Sequence, residues 1–71
     1  MPDALTQRQT HCLKAIKNWY AEHDYGPTLS EIGERMKPSL SGTAVARLVY
    51  RLEERGHVKR LHSRRRSISL I

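Results

Sequence analysis

The sequence predicts a mainly α fold with a small β component (α+β), three helices followed by a two-stranded hairpin. Three observations carry that prediction. Two capping boxes, Thr6 with Gln9 and Thr28 with Glu31, each open a segment whose apolar residues recur at helical spacing. A third segment, Ser41 to Arg55, repeats apolar residues on one helical face and stops at Gly56. Beyond Gly56 the apolar period changes to two, in short runs either side of a basic loop.

The first helix should begin after Thr6, whose hydroxyl can accept from the Gln9 amide while the Gln9 side chain reaches back. Cys12, Leu13, Ile16, Trp19 and Tyr20 form its apolar stripe, and Tyr25-Gly26-Pro27 ends it by about residue 24. The second helix carries Leu29, Ile32 and Met36. It is limited to about two turns, because Pro38 lacks an amide hydrogen and pushes Lys37 out of helical geometry. Gly33 lowers helix propensity by roughly 1 kcal/mol relative to Ala, and its place here predicts a close packing contact with the third helix. Ser41 is a strong N-cap for that third helix, with Leu40 and Val45 placed as a hydrophobic staple and Val45, Leu48, Val49 and Leu52 on one face. Residues 57–61 and 67–71 read as strands around the loop His62 to Arg66, with Leu61 and Ile71 breaking the alternation and leaving the register open.

At 71 residues the chain is expected to be one domain, 1–71, near the lower size limit for a single core without disulfide or metal. One cysteine, Cys12, fits a reducing cytosol, and neither a secretory signal nor an apolar run of the ~18 residues needed to span a membrane is evident. The expected location is cytoplasmic. Charge is unevenly distributed: residues 1–46 carry five Lys/Arg against five Asp/Glu, whereas residues 47–71 carry eight against two and hold the whole net charge of +6. Clustered cations of that kind suit a polyanion, because they release condensed counterions when they meet phosphates. The plainer reading is a basic face kept for solubility.

Two helices joined by a tight turn, the second polar on its outer N-terminal face, make a helix-turn-helix, and a basic hairpin directly after it makes a wing. Residues 41–55 are then the recognition helix and 57–71 the wing, with Tyr50, Arg51, Lys59, Arg60, Arg64, Arg65 and Arg66, together with Thr28, as candidates for the DNA backbone. The residues Ala4-Leu5-Thr6, Arg8-Gln9, Pro27-Thr28, Glu31-Ile32, Arg35, Ser41, Ala44, Leu52 and Gly56 fall in the order and spacing of a known family. Through them the chain resembles the N-terminal DNA-binding domain of LexA repressors over nearly its whole length, with one extra residue in the turn before the third helix. The resemblance implies a winged helix-turn-helix and repression by operator binding. It also implies that Ser41, Thr43, Ala44, Ala46 and Arg47 meet bases. Thr43 stands where the family has asparagine, and Ala46-Arg47 where it has paired glutamates, so an acceptor for cytosine-type donors is replaced by a guanidinium suited to guanine O6 and N7. The family's operator is therefore not carried over. Nor is autoproteolysis, since no counterpart of the family's self-cleaving domain is present and a stand-alone DNA-binding domain is expected.

Other constellations are weaker. His11, Cys12 and His23 lack the spacing of a metal site, and no cofactor or small-molecule ligand is implied. Trp19 and Tyr20 fit the core better than a base-stacking platform, which leaves Tyr50 as the expected exposed aromatic for any single-stranded or RNA partner. Ser63, Ser67 and Ser69 have no His and Asp at a recognisable spacing, and no enzyme is expected. The expected partner is double-stranded DNA, with no membrane. A homodimer on a palindromic operator, monomers meeting on DNA, and a part of a larger polypeptide all remain compatible with the sequence. The alternative of a different class is a protein-interaction module, an antirepressor or adaptor that offers the same scaffold to an acidic protein.

Overall fold

The computed structural model describes residues 5–60 and 68–71. It contains α1 (Gln7–Glu22), α2 (Leu29–Arg35), α3 (Gly42–Glu54), β1 (Val58–Arg60) and β2 (Ile68–Leu70), which is the order of a winged helix.

Both predicted capping boxes form. Thr6 Oγ1 accepts from the Gln9 amide at 3.1 Å while Gln9 Oε1 accepts from the Thr6 amide at 3.0 Å. The same reciprocal pair joins Thr28 and Glu31 at 3.1 and 2.8 Å. Each box satisfies two amides that the first helical turn leaves without partners. At α3 the Ser41 hydroxyl accepts from the Ala44 amide at 3.3 Å. That helix ends in a Schellman motif: Gly56 takes a φ of 81°, its amide donates to the Glu53 carbonyl, and the His57 amide donates to the Leu52 carbonyl.

The interior is where the three helices and the wing meet. Cys12 and Ile16 of α1, Ile32 of α2, Val45, Val49 and Leu52 of α3 and Val58 of β1 are wholly buried, and Ile68 of β2 nearly so. Burying each such aliphatic side chain stabilises by about 1.5–3 kcal/mol, before the chain entropy that folding removes. The helix pair α2–α3 is set by backbone proximity. A Cβ on Gly33 would lie 2.1 Å from the Leu40 carbonyl oxygen and 3.2 Å from Val45 Cγ2, and the Leu40 amide donates to the Gly33 carbonyl at 3.1 Å. The close contact expected at Gly33 is thus made first with the turn that leads into α3 and only second with α3 itself.

The hairpin pairs antiparallel with Val58 opposite Leu70, Lys59 opposite Ser69 and Arg60 opposite Ile68. This settles the register. Val58, Arg60, Ile68 and Leu70 share the face turned to the helices, and Lys59 and Ser69 share the other. Ile71 lies past the ladder and is exposed, which accounts for the broken alternation there, while Leu61 lies outside the described residues. The Tyr20 hydroxyl donates to the Ile68 carbonyl and ties α1 to the returning strand.

Candidate nucleic-acid interface

The fold turns one side of α3 inward and leaves the other uncovered. Val45, Val49 and Leu52 are fully buried, whereas Thr43, Arg47, Tyr50 and Arg51, one to two residues away in sequence, are exposed. With ~100° of rotation per residue, alternation between core and solvent follows from the cylinder. Ser41 is exposed at the start of the helix, and Ala44 and Ala46 are half-buried.

Two shallow depressions flank this outer face. One, of about 340 Å³, is lined by Arg8, Leu40, Ser41, Thr43, Ala44, Arg47 and Leu48. The other, of about 400 Å³, is lined by Thr43, Ala46, Arg47, Tyr50 and Arg51. All five predicted base-reading residues line one or the other, and Thr43 and Arg47 line both. Arg8 was absent from the predicted site. Its only signal in the sequence is its place in the family pattern, because α1 brings it to the start of α3 through space rather than along the chain.

No carboxylate lines either depression. Arg8 and Arg47 form no ion pair among the described residues, and Arg51 makes an exposed one with Glu54 at 3.3 Å. Such a pair contributes little, so Arg51 is readily released to a stronger anion. The backbone candidates are dispersed. Thr28 uses its hydroxyl oxygen as an acceptor in its capping box and keeps the O–H as a donor. Lys59 is exposed on the outer side of β1, while Arg60 is half-buried on the side that faces the helices. Arg64, Arg65 and Arg66 lie outside the described residues.

The aromatic reading changes in part. Trp19 is core, 7% exposed, and its indole Nε1 donates to the Tyr25 carbonyl at 2.7 Å. His23 stacks on Trp19 at 3.9 Å between ring centroids with an interplanar angle of 16°. Tyr25 is exposed as well as Tyr50, though it packs edge-on to Trp19, so Tyr50 is not the sole exposed aromatic. Burial pushes the Cys12 thiol up to about 11, which keeps it neutral at ordinary pH. Among the described residues no group of three His, Cys, Asp or Glu converges as a metal site, and no helix is long and apolar enough to cross a membrane.

A capped helix held from behind by two others, with a cationic outer face and a hairpin after it, defines a winged helix-turn-helix of the nucleic-acid-binding class. The chain belongs to the LexA DNA-binding domain family, whose model, described as LexA DNA binding domain, matches residues 2–67. It is 40% identical over 57 residues to LexA repressor 1 of Nocardia farcinica, a match that takes in 80% of this chain and 26% of that protein. It is 33% identical over 67 residues to the LexA repressor of Thermosipho melanesiensis, covering 94% of this chain and 33% of that protein. The family is one of DNA-binding repressors, and the chain spans between a quarter and a third of the length of these curated relatives.

Proposed function

We propose that this chain is the sequence-specific, double-stranded DNA-binding module of a LexA-like repressor, occupying an operator with the N-terminal half of α3 in the major groove. The observation that carries this reading is Arg47: exposed, in no ion pair among the described residues, and shared by both depressions on the outer face of α3. A guanidinium held there suits bidentate contact with guanine O6 and N7, and Ala46 beside it suits a thymine methyl. Ser41, Thr43 and Ala44 complete the base-reading set. Arg8, Thr28, Tyr50, Arg51, Lys59 and Arg60 are assigned to phosphates, as are Arg64, Arg65 and Arg66 on charge alone. Residues 1–71 act in this reading as one winged-helix domain with no catalytic role.

Selection of bound sequences from a random duplex library tests it. The expected result is a motif with a guanine that Arg47→Ala no longer prefers, and an affinity that falls steeply with salt. A palindromic motif with half-sites about one helical turn or more apart indicates two copies on DNA, and a lone half-site indicates one. No duplex binding at low salt, with stoichiometric capture of one acidic protein instead, would overturn the reading in favour of an interaction module.

A further inference from the structure

A second basic surface lies outside the reading face. His11, Lys14, Ala15 and Asn18 of α1 line a cleft of about 260 Å³ together with Arg35, Met36 and Lys37 at the end of α2. His11, Lys14 and Asn18 fall three to four residues apart and so share one side of α1. No carboxylate lines the cleft, and among the described residues His11, Lys14 and Lys37 form no ion pair. Arg35 is already engaged: its guanidinium contacts Glu22 at 2.6 Å and lies over the Trp19 ring. The uncommitted cations are therefore the two lysines, with His11 and the Asn18 amide beside them as hydrogen-bonding groups.

Where the cleft sits decides what it suits. Arg8, which lines the depression at the start of α3, is one helical turn before His11 on α1 and about 9 Å along the axis from Lys14. Lys37 opens the turn that leads to Leu40 and Ser41, both of which line that same depression. The basic surface thus continues from the reading face along α1. Apart from Arg35 and the apolar floor of Ala15 and Met36, its lining side chains are exposed. Flexible ammonium groups on an open shelf follow a passing polyanion better than they enclose a small ligand, which calls for buried, convergent donors. One strand of B-DNA presents a phosphate every ~3.4 Å along its axis, so a surface ~9 Å long spans more than one of them.

We infer that the α1–α2 cleft, through Lys14 and Lys37, is an accessory phosphate-binding surface that engages the DNA backbone flanking the bases read by α3. This rests on the DNA-binding reading above. It enlarges the footprint beyond the recognition helix and wing, and it adds affinity without adding sequence preference, because phosphates carry no base identity.

The test compares the unmodified chain, Lys14→Glu/Lys37→Glu and Lys14→Gln/Lys37→Gln on two duplexes. One is trimmed to the selected site and the other extended by about one helical turn, ~10 bp, on each side. Binding is followed by fluorescence anisotropy over a salt series, with thermal unfolding as a check on folding. For the unmodified chain the slope of log affinity against log salt should be steeper on the extended duplex. Both double variants should lose that difference, at about 0.9 per phosphate contact removed, and keep the base preference of the unmodified chain on the trimmed duplex. Equal slopes on the extended duplex for unmodified chain and folded variants would overturn the inference while leaving the DNA-binding reading intact. Absence of duplex binding by the unmodified chain would overturn both. A variant that fails to fold is replaced by its partner, since glutamine removes the positive charge without introducing a negative one.

Discussion

Arg35 and Arg47 are the same residue in two regions of one small domain, and they do opposite things. Arg35, at the end of α2, is part-buried, contacts Glu22 at 2.6 Å and lies 4.9 Å from the Trp19 ring centroid. Arg47, on the outer face of α3, is exposed and has no ion-pair partner among the described residues. Arg35 is satisfied by the fold and helps hold α2 against α1. Arg47 is held out by a helix whose other side is fully buried, so its charge is available to a ligand. The difference shows that arginine content alone does not mark a binding face. In the proposed reading, what marks it is arginine that the fold supports from behind and leaves without an acid.

That comparison can be broken or sharpened by substitution. The largest effect is expected beneath Arg47: Leu52→Ala removes a wholly buried side chain and should lower stability by about 2–5 kcal/mol in urea unfolding. For so small a domain that is much of the total, and binding should fail as the unfolded fraction grows. Next comes Gly33→Ala. The gain of up to ~1 kcal/mol in helix propensity is outweighed by a Cβ placed 2.1 Å from the Leu40 carbonyl oxygen, for a net loss of roughly 1–3 kcal/mol in a thermal melt. If this variant is stabilised instead, the turn yields more easily than backbone contact allows. Arg47→Ala should leave stability within about 0.5 kcal/mol, yet cost about 1–3 kcal/mol of discrimination at one base pair, read by competition between duplexes. A uniform loss over all duplexes would move Arg47 from base reader to phosphate contact.

The smallest effect is expected at the α1–α2 corner. Arg35→Ala removes a cation–π contact with Trp19 that contributes about 0.5–1 kcal/mol. It also removes a pH dependence. Arg35, by its hydrogen bond and its charge, holds the Glu22 carboxyl below the ordinary carboxylate value of 4.5. The stabilisation from a lowered carboxylate is present above the unfolded value and disappears as pH falls through the folded one. The stability gap between the unmodified chain and Arg35→Ala should therefore narrow on acidification below about pH 4.5, and a gap that stays constant would mean the ion pair contributes nothing.

How much of this was legible in the sequence follows the range of each interaction. The three N-caps, the Gly56 stop and the buried face of α3 are local, set within one or two helical turns, and each formed as the residue pattern requires. The strand register could not be read, because it depends on which residue of 68–70 meets which of 58–60, and the loop between them is long enough to permit several pairings. The candidate site divides in the same way. Thr43, Ala46 and Arg47 are legible as the outer face of one helix. Arg8, and the Lys14–Lys37 cleft, arise where helices distant in the chain cross, as does the placement of Arg35 over the Trp19 ring. Nothing in residue order alone fixes those crossings.

The approach of Gly33 to the Leu40 carbonyl means that main chain, together with the buried side chains of Val45, Val49 and Leu52, sets the pose of α3. Presentation and lettering are thereby uncoupled. In the proposed reading, exchanging Thr43, Ala46 and Arg47 leaves the seat of the helix in place, so one frame can be addressed to many duplexes. A library randomised at those three positions should yield folded proteins at high frequency, differing in the duplexes they select. The same library built on a chain with a side chain at position 33 should not.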